Sequence, residues 1–228
     1  MGSPYDAHAY DGVASNLAAS GHRCIVPFLR GYGATRFLSP ATPRSGEQAA
    51  LSADLLAFMN ALGIEKAILG GYDWGGRAAC IVSALWPERV IGVVSAGTGY
   101  NICRFLWQTC SPSWSFDDAT FERSAASFDN PDFVDVVTHS YRHRYGVVPG
   151  DPAYAEIQAR LAEQPAITVP TVVLLGADEG IDPPSMEDNE AVHFKGAYSR
   201  HILAGIGHNV PQEASVAFAD AVRKLLPV

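Results

Sequence analysis

Asp73 sits in the run Gly71-Tyr72-Asp73-Trp74-Gly75-Gly76, and its neighbours say how it is displayed. The apolar stretch Lys66-Ala67-Ile68-Leu69-Gly70 precedes it, and the small, helix-forming Arg77-Ala78-Ala79-Cys80-Ile81-Val82 follows. That order reads strand, sharp turn, helix. A residue at the tip of such a turn is held in a strained backbone, so small residues are needed two before and two after it. Gly71 and Gly75 occupy those positions. The tip side chain is thrust over the sheet edge at a helix N-terminus, where backbone N–H groups meet developing negative charge. A carboxylate displayed there can attack a saturated carbon and leave an ester, which activated water then cleaves at the acyl carbon. A serine attacking the same carbon would leave an ether that water could not cleave. The plainer reading of Asp73 is a turn residue that caps the following helix.

Two residues far along the chain complete an order of nucleophile, acid and base. Glu179 follows the apolar run Thr171-Val172-Val173-Leu174-Leu175, and His208 lies in the Gly-flanked loop Gly205-Ile206-Gly207-His208-Asn209-Val210-Pro211. Active sites of open parallel sheets lie at the carboxyl ends of the strands, so Asp73, Glu179 and His208 are expected at one edge. A plain loop histidine is the alternative for His208. His139 and His143 are one helical turn apart and imitate a metal pair. No third ligand accompanies them in the sequence, so they read as a polar helix face and no metal is expected.

The elements that must position these groups alternate along the chain. Residues 4–20 form a helix-like stripe through Ala7, Tyr10, Val13 and Leu17, closed by Gly21. Cys24-Ile25-Val26-Pro27-Phe28-Leu29 reads as a strand buried on both faces. Ser45 and Gln48 fit a capping box for a helix carrying Leu51, Leu55, Leu56, Met59 and Leu62. Further strands are expected over 67–70, 90–95, 171–175 and 199–203, and the helix after Asp73 must stop at Trp86-Pro87. Residues 101–163 show no strand pattern and are rich in large aromatics. Asn130-Pro131 is a helix start and Gly146 a stop. The class is therefore α/β, a mainly parallel sheet flanked by helices. A core of residues 1–100 and 164–228 carries an inserted helical lid over 101–163.

Composition narrows the function. The 228 residues can bury one sizeable core. A net charge of −8 disfavours a nucleic-acid partner and suits a cytoplasmic protein. No apolar run is long enough to span a membrane, and Met1-Gly2-Ser3-Pro4 lacks the features of a signal peptide. Cys24, Cys80, Cys103 and Cys110 lack metal-ligand spacing and read as reduced thiols. The expected partner is a small-molecule substrate, with a homodimer open.

The elbow around Asp73, the turn Arg30-Gly31-Tyr32-Gly33 and the loop Gly205-Ile206-Gly207-His208 together resemble the α/β-hydrolase family over nearly the whole chain. Asp at the elbow resembles the branch of epoxide hydrolases and haloalkane or haloacid dehalogenases. The resemblance implies an epoxide opened to a vicinal diol without a cofactor, with Asp73 as nucleophile, His208 as base and Glu179 as acid. Asp is commoner than Glu at that position in the family, so Asp178 is the alternative acid. Gly2-Ser3-Pro4-Tyr5-Asp6 resembles the end of the family's oxyanion loop, which implies backbone donors from Ser3 and Trp74. His139-Ser140-Tyr141-Arg142 is similar to a lid motif and implies Tyr141 as the ring-opening donor. A tyrosine packed in the lid core is the alternative. A carbon–halogen hydrolase with the same Asp73 is the second reading, with Trp74, Trp107 or Trp114 holding the halide. A truncated, non-catalytic domain is the third.

The chain also departs from the family. Its first strands are missing, and so is the strand that feeds the oxyanion loop. By the family's strand order, a gap one strand wide is expected between Cys24–Leu29 and Ala67–Gly70. The lid looks short, with the discontinuity placed at Ile102–Cys103.

Overall fold

Four short apolar runs become the parallel strands of one sheet in the computed structural model, which describes residues 5–96 and 103–227. A 3-10 turn at Ala7–Tyr10 leads into α1 (Asp11–Ala18), and α2 spans Gln48–Ala61. Next come β1 (Ala67–Tyr72), α3 (Asp73–Leu85) and β2 (Val90–Ala96). Helices α4 (Cys103–Cys110), α5 (Asp118–Ala125), α6 (Phe133–Arg144) and α7 (Ala155–Ala162) fill the stretch before β3 (Thr171–Gly176). The chain closes with β4 (Tyr198–Leu203), α8 (Val210–Glu213) and α9 (Ser215–Lys224).

The strand order β1-β2-β3-β4 follows the sequence, and each pair is parallel. Parallel neighbours must be joined by crossovers, so helices cover both faces of the sheet. α1 packs with α9 on one face, and α2 packs with α3 on the other. β2 shows the consequence residue by residue. Val94 and Ala96 join the core of Tyr10, Leu17 and Phe218, while Val90 and Val93 join that of Met59, Ala79 and Val82. Successive side chains point to opposite faces, apart from a register shift between Val90 and Gly92 that lets Val90 and Val93 share one face, and here both faces are apolar, which is why the strand reads as an unbroken apolar run. All four carboxyl ends meet one edge of the sheet.

Two expectations are corrected. Cys24–Leu29 carries no strand pairing. A strand exists only with a hydrogen-bonded neighbour, and β1, the nearest candidate, pairs with β2 alone among the described residues. Between the two lies a cavity of about 1100 Å³, with Val26 and Phe28 on one bank and Ile68 and Gly70 on the other. The gap expected beside β1 is thus present, while the strand expected on its far bank is not. Ile102 lies outside the described residues, and the Ile102–Cys103 junction with it.

The capping box at Ser45 does not form either. Glu47 is the cap residue of α2, and Ser45 accepts from Arg30 Nη1 at 3.0 Å. Arg30 is drawn inward by Asp54, whose carboxylate it meets at 2.6 Å with both Nε and Nη2. Asn130 caps the turn that opens α6, its Oδ1 accepting from Asp132 N at 2.9 Å and its carbonyl from Phe133 N at 3.0 Å. It ties the turn after Arg30 to the helical segment, donating to Gly33 O and Thr35 O at 3.1 and 2.8 Å. Gly146, at φ +68, does close α6. Among the described residues no helix is long and apolar enough to cross a membrane.

The pairing pattern predicts an order of opening. β2 and β3 are bonded on both sides and β1 on one, so amide hydrogen exchange should be faster in Ala67–Gly70 than in Val93–Ala96 and Val172–Leu174. Equal protection would show that the cavity edge of β1 is covered in solution.

Candidate active site

Asp73 is the first residue of α3, directly after β1. Its φ is +48, the left-handed region that a non-glycine residue adopts only when its surroundings demand it. The demand comes from the tightness of the turn: a Cβ on Gly71 would run into the carbonyl group of Gly75. Asp73 is 2% exposed, and neither carboxylate oxygen has a hydrogen-bond partner among the described residues. A capping Asp would spend an oxygen on the helix N-terminus; this one does not. Burial pushes its carboxyl up to about 6, against the charges of His208 and then Arg77, which pull it down. Arg77 stands one turn along α3, with its guanidinium 5.5 Å from the centre of the Trp74 ring.

The loops after β3 and β4 bring the other two groups to the same edge. His208 Nδ1 lies 2.6 Å from Glu179 Oε2, and both side chains are buried. A carboxylate at Nδ1 holds the ring proton on that side and leaves Nε2 as the basic nitrogen. Burial alone would lower the imidazole. The hydrogen bond and charge of Glu179, then the charges of Asp73 and Glu213, outweigh it and raise the group. Asp178, the alternative acid, gives its backbone N–H to Ile206 O, and Glu179 is the residue whose carboxylate meets the imidazole.

Tyr141, on α6, is buried, and its hydroxyl accepts from Trp74 Nε1 at 3.2 Å. The two rings meet edge to face at 86°. Burial, and next the charge of Asp73, raise the phenol, which keeps it protonated beside the carboxylate. The backbone N–H of Trp74 belongs to the first turn of α3, where N–H groups have no partner within the helix. Ser3 lies outside the described residues. Trp107 is stacked between Tyr5 and Trp114 in the core, at 4.8 and 5.4 Å. His139 and His143 lie at the seam between α6 and the start of α2. His139 Nδ1 accepts from Gly46 N at 3.1 Å, and His143 Nε2 is 3.6 Å from the buried Glu47.

Two residues were not singled out by sequence. The rings of Tyr5 and Tyr72 stand 5.8 and 5.9 Å from the imidazole and wall it from solvent. Tyr72 adjoins the elbow, which is a signal of place but not of direction. Tyr5 carried no signal apart from following Pro4.

A sheet-edge turn thus presents a strained, buried carboxylate at the same edge of the sheet as a carboxylate–imidazole pair. The model of the alpha/beta hydrolase fold matches residues 2–133, and the chain belongs to that family. It is 40% identical over 79 residues to epoxide hydrolase 3 of Siraitia grosvenorii, a stretch covering 35% of this chain and 24% of that enzyme. It is 35% identical over 86 residues to the bifunctional epoxide hydrolase 2 of Sus scrofa, covering 37% of this chain and 15% of that one. The matched part thus spans a quarter or less of either relative. A crystal structure of a candidate epoxide hydrolase from Klebsiella pneumoniae superposes with a TM-score of 0.91 at 40% identity, covering 98% of this chain and 87% of that one.

The environment of Asp73 predicts a stability cost. Its carboxyl is raised above the value of an unfolded chain, so folding favours the protonated form. The penalty is absent below pH ~4, grows through the folded value and is complete above it. Asp73→Asn should therefore stabilise the protein by about 2–3 kcal/mol at pH 8 and by much less near pH 4. Urea unfolding at both pH values measures this. A variant equally stable to wild type at pH 8 would show that the carboxylate is solvated.

Proposed function

We propose that the protein is an epoxide hydrolase that works through a covalent ester on Asp73. The observation that carries this reading is the buried Asp73 carboxylate, without hydrogen-bond partners among the described residues and lying in the field of His208. A carboxylate without donors keeps its nucleophilicity, and one held in strained backbone beside a base has the arrangement of a covalent catalyst. The naming of its relatives as epoxide hydrolases supports the substrate class.

In the first step an Asp73 oxygen attacks one epoxide carbon. The carbon–oxygen bond of the ring breaks, and the departing oxygen takes the proton of Tyr141. Trp74 Nε1–H, donated to the Tyr141 oxygen, stabilises the tyrosinate that forms. In the second step His208 Nε2 removes a proton from water, whose oxygen adds to the ester carbonyl of Asp73. The N–H of Trp74 meets the oxyanion. Glu179 holds the imidazolium in place. The intermediate collapses, the leaving alkoxide takes the proton from His208, and the new Asp73 carboxyl returns a proton to Tyr141. One epoxide and one water have become one diol, and no cofactor enters. Of the indole donors that a carbon–halogen hydrolase would turn to its halide, Trp74 gives its N–H to Tyr141.

Two variants test the assignment. His208→Gln should form the ester and fail to release it, so intact mass after mixing with an epoxide should rise by the mass of one substrate. Wild-type turnover in His208→Gln would remove His208 from the reaction. Tyr141→Phe should lower epoxide opening about 10²-fold, the scale of a lost general acid. Unchanged turnover would make Tyr141 a packing residue.

A further inference from the structure

The loop that carries His208 is pinned at three successive backbone N–H groups. Gly207 N donates to Glu213 Oε2 at 2.8 Å and Asn209 N to Glu213 Oε1 at 2.9 Å. His208 N donates to Ser111 Oγ at 2.9 Å, and Ser111 Oγ in turn donates to Glu213 Oε1 at 2.6 Å. The result is a closed ring of hydrogen bonds around the backbone of the base. Ser111 is fully buried, and a Cβ on Gly207 would collide with it, so the loop lies flat against the turn that ends α4.

The same turn holds the acid. The carbonyl of Cys110 accepts from His208 N at 3.2 Å and from Gly180 N, the residue after Glu179, at 3.0 Å. One short segment, Cys110–Ser111, therefore sets both loops whose side chains meet across 2.6 Å. From this geometry we infer that Ser111 and Glu213 are positioning residues for the base, setting the distance and charge state of the Glu179–His208 pair from the end of a lid-side helix. The inference rests on the proposed role of His208 in the reaction. Neither residue touches the imidazole. Their hydrogen bonds act on the backbone on both sides of it, and a misplacement near 1 Å at such a group costs about 10²-fold in rate. Glu213 also acts through space: its charge, after those of Glu179 and Asp73, supports the protonated imidazole.

A role confined to loop stability would leave the titration of His208 untouched, and this separates the two possibilities. Ser111→Ala and Glu213→Gln are compared with wild type by proton NMR of the His208 Nδ1–H in the Glu179 hydrogen bond, as a function of pH. Hydrolysis of the Asp73 ester is followed separately from its formation. Glu213→Gln should lower the titration midpoint of His208, and Ser111→Ala should weaken or broaden the low-field Nδ1–H signal. Each should slow ester hydrolysis about 10- to 100-fold while ester formation and KM stay near wild type. If Glu213→Gln does not fold, Ser111→Ala decides. Folded variants that keep the wild-type signal, midpoint and hydrolysis rate would overturn the inference. Wild type that forms no ester with epoxides would instead refute the proposed activity, and the NMR comparison would still decide the positioning role.

Discussion

The strained turn at Asp73 is the constraint on which the rest depends. β1 must end and α3 begin within one residue, and that residue takes φ +48. Such a conformation costs on the order of 1–3 kcal/mol and survives only where its surroundings over-determine it. Here the surroundings are the Gly71–Gly75 approach behind the turn and the parallel pairing of β1 with β2. Burial adds an electrostatic cost, offset in part by His208 and Arg77. The carboxylate is thus set in an unfavourable place by a favourable scaffold, a condition that suits a nucleophile.

A second dependence runs through charge. His208 is buried, which alone would favour the neutral ring, yet Glu179 at 2.6 Å raises it. In the proposed reaction this pairing lets the imidazole hold the proton taken from water until the leaving oxygen needs it. Asp73 and His208 each support the charged form of the other, and alkylation of Asp73 removes one half of that pair. In the proposed reaction, alkylation of Asp73 would take one negative charge away from the imidazole and leave Glu179 and Glu213 to support its protonated form.

What was legible in the sequence was what depends on local spacing. The glycines around Asp73 show a turn because only small residues permit the approach, and His208 stood out by its glycine-flanked loop. The parallel strands were legible as apolar runs, since both faces of the sheet are covered. Cys24–Leu29 misled because the same run can be an extended segment lining a cavity. Its side chains line that cavity only half-buried and Ile25 is exposed, so the apolar run reported neither full burial nor a hydrogen-bonded neighbour. Between Asp178 and Glu179 only the fold could choose, because neighbouring residues in a turn point in different directions. Ser111 and Glu213 were invisible for a related reason. Ser111 sits in an ordinary polar turn and Glu213 reads as a surface charge on a helix, while their partners are backbone groups that carry no sequence signature.

The central claim is that Asp73 itself forms the bond to substrate, and one measurement reaches it without intermediaries. A single turnover of an epoxide in water enriched in heavy oxygen, followed by mass spectrometry of the peptide containing Asp73, asks where the oxygen of water goes. The account predicts heavy oxygen in the Asp73 carboxylate and an unlabelled diol, because water attacks the acyl carbon of the ester. Heavy oxygen in the diol with none in Asp73 would mean that water attacks the epoxide directly, and the account would be wrong at its centre.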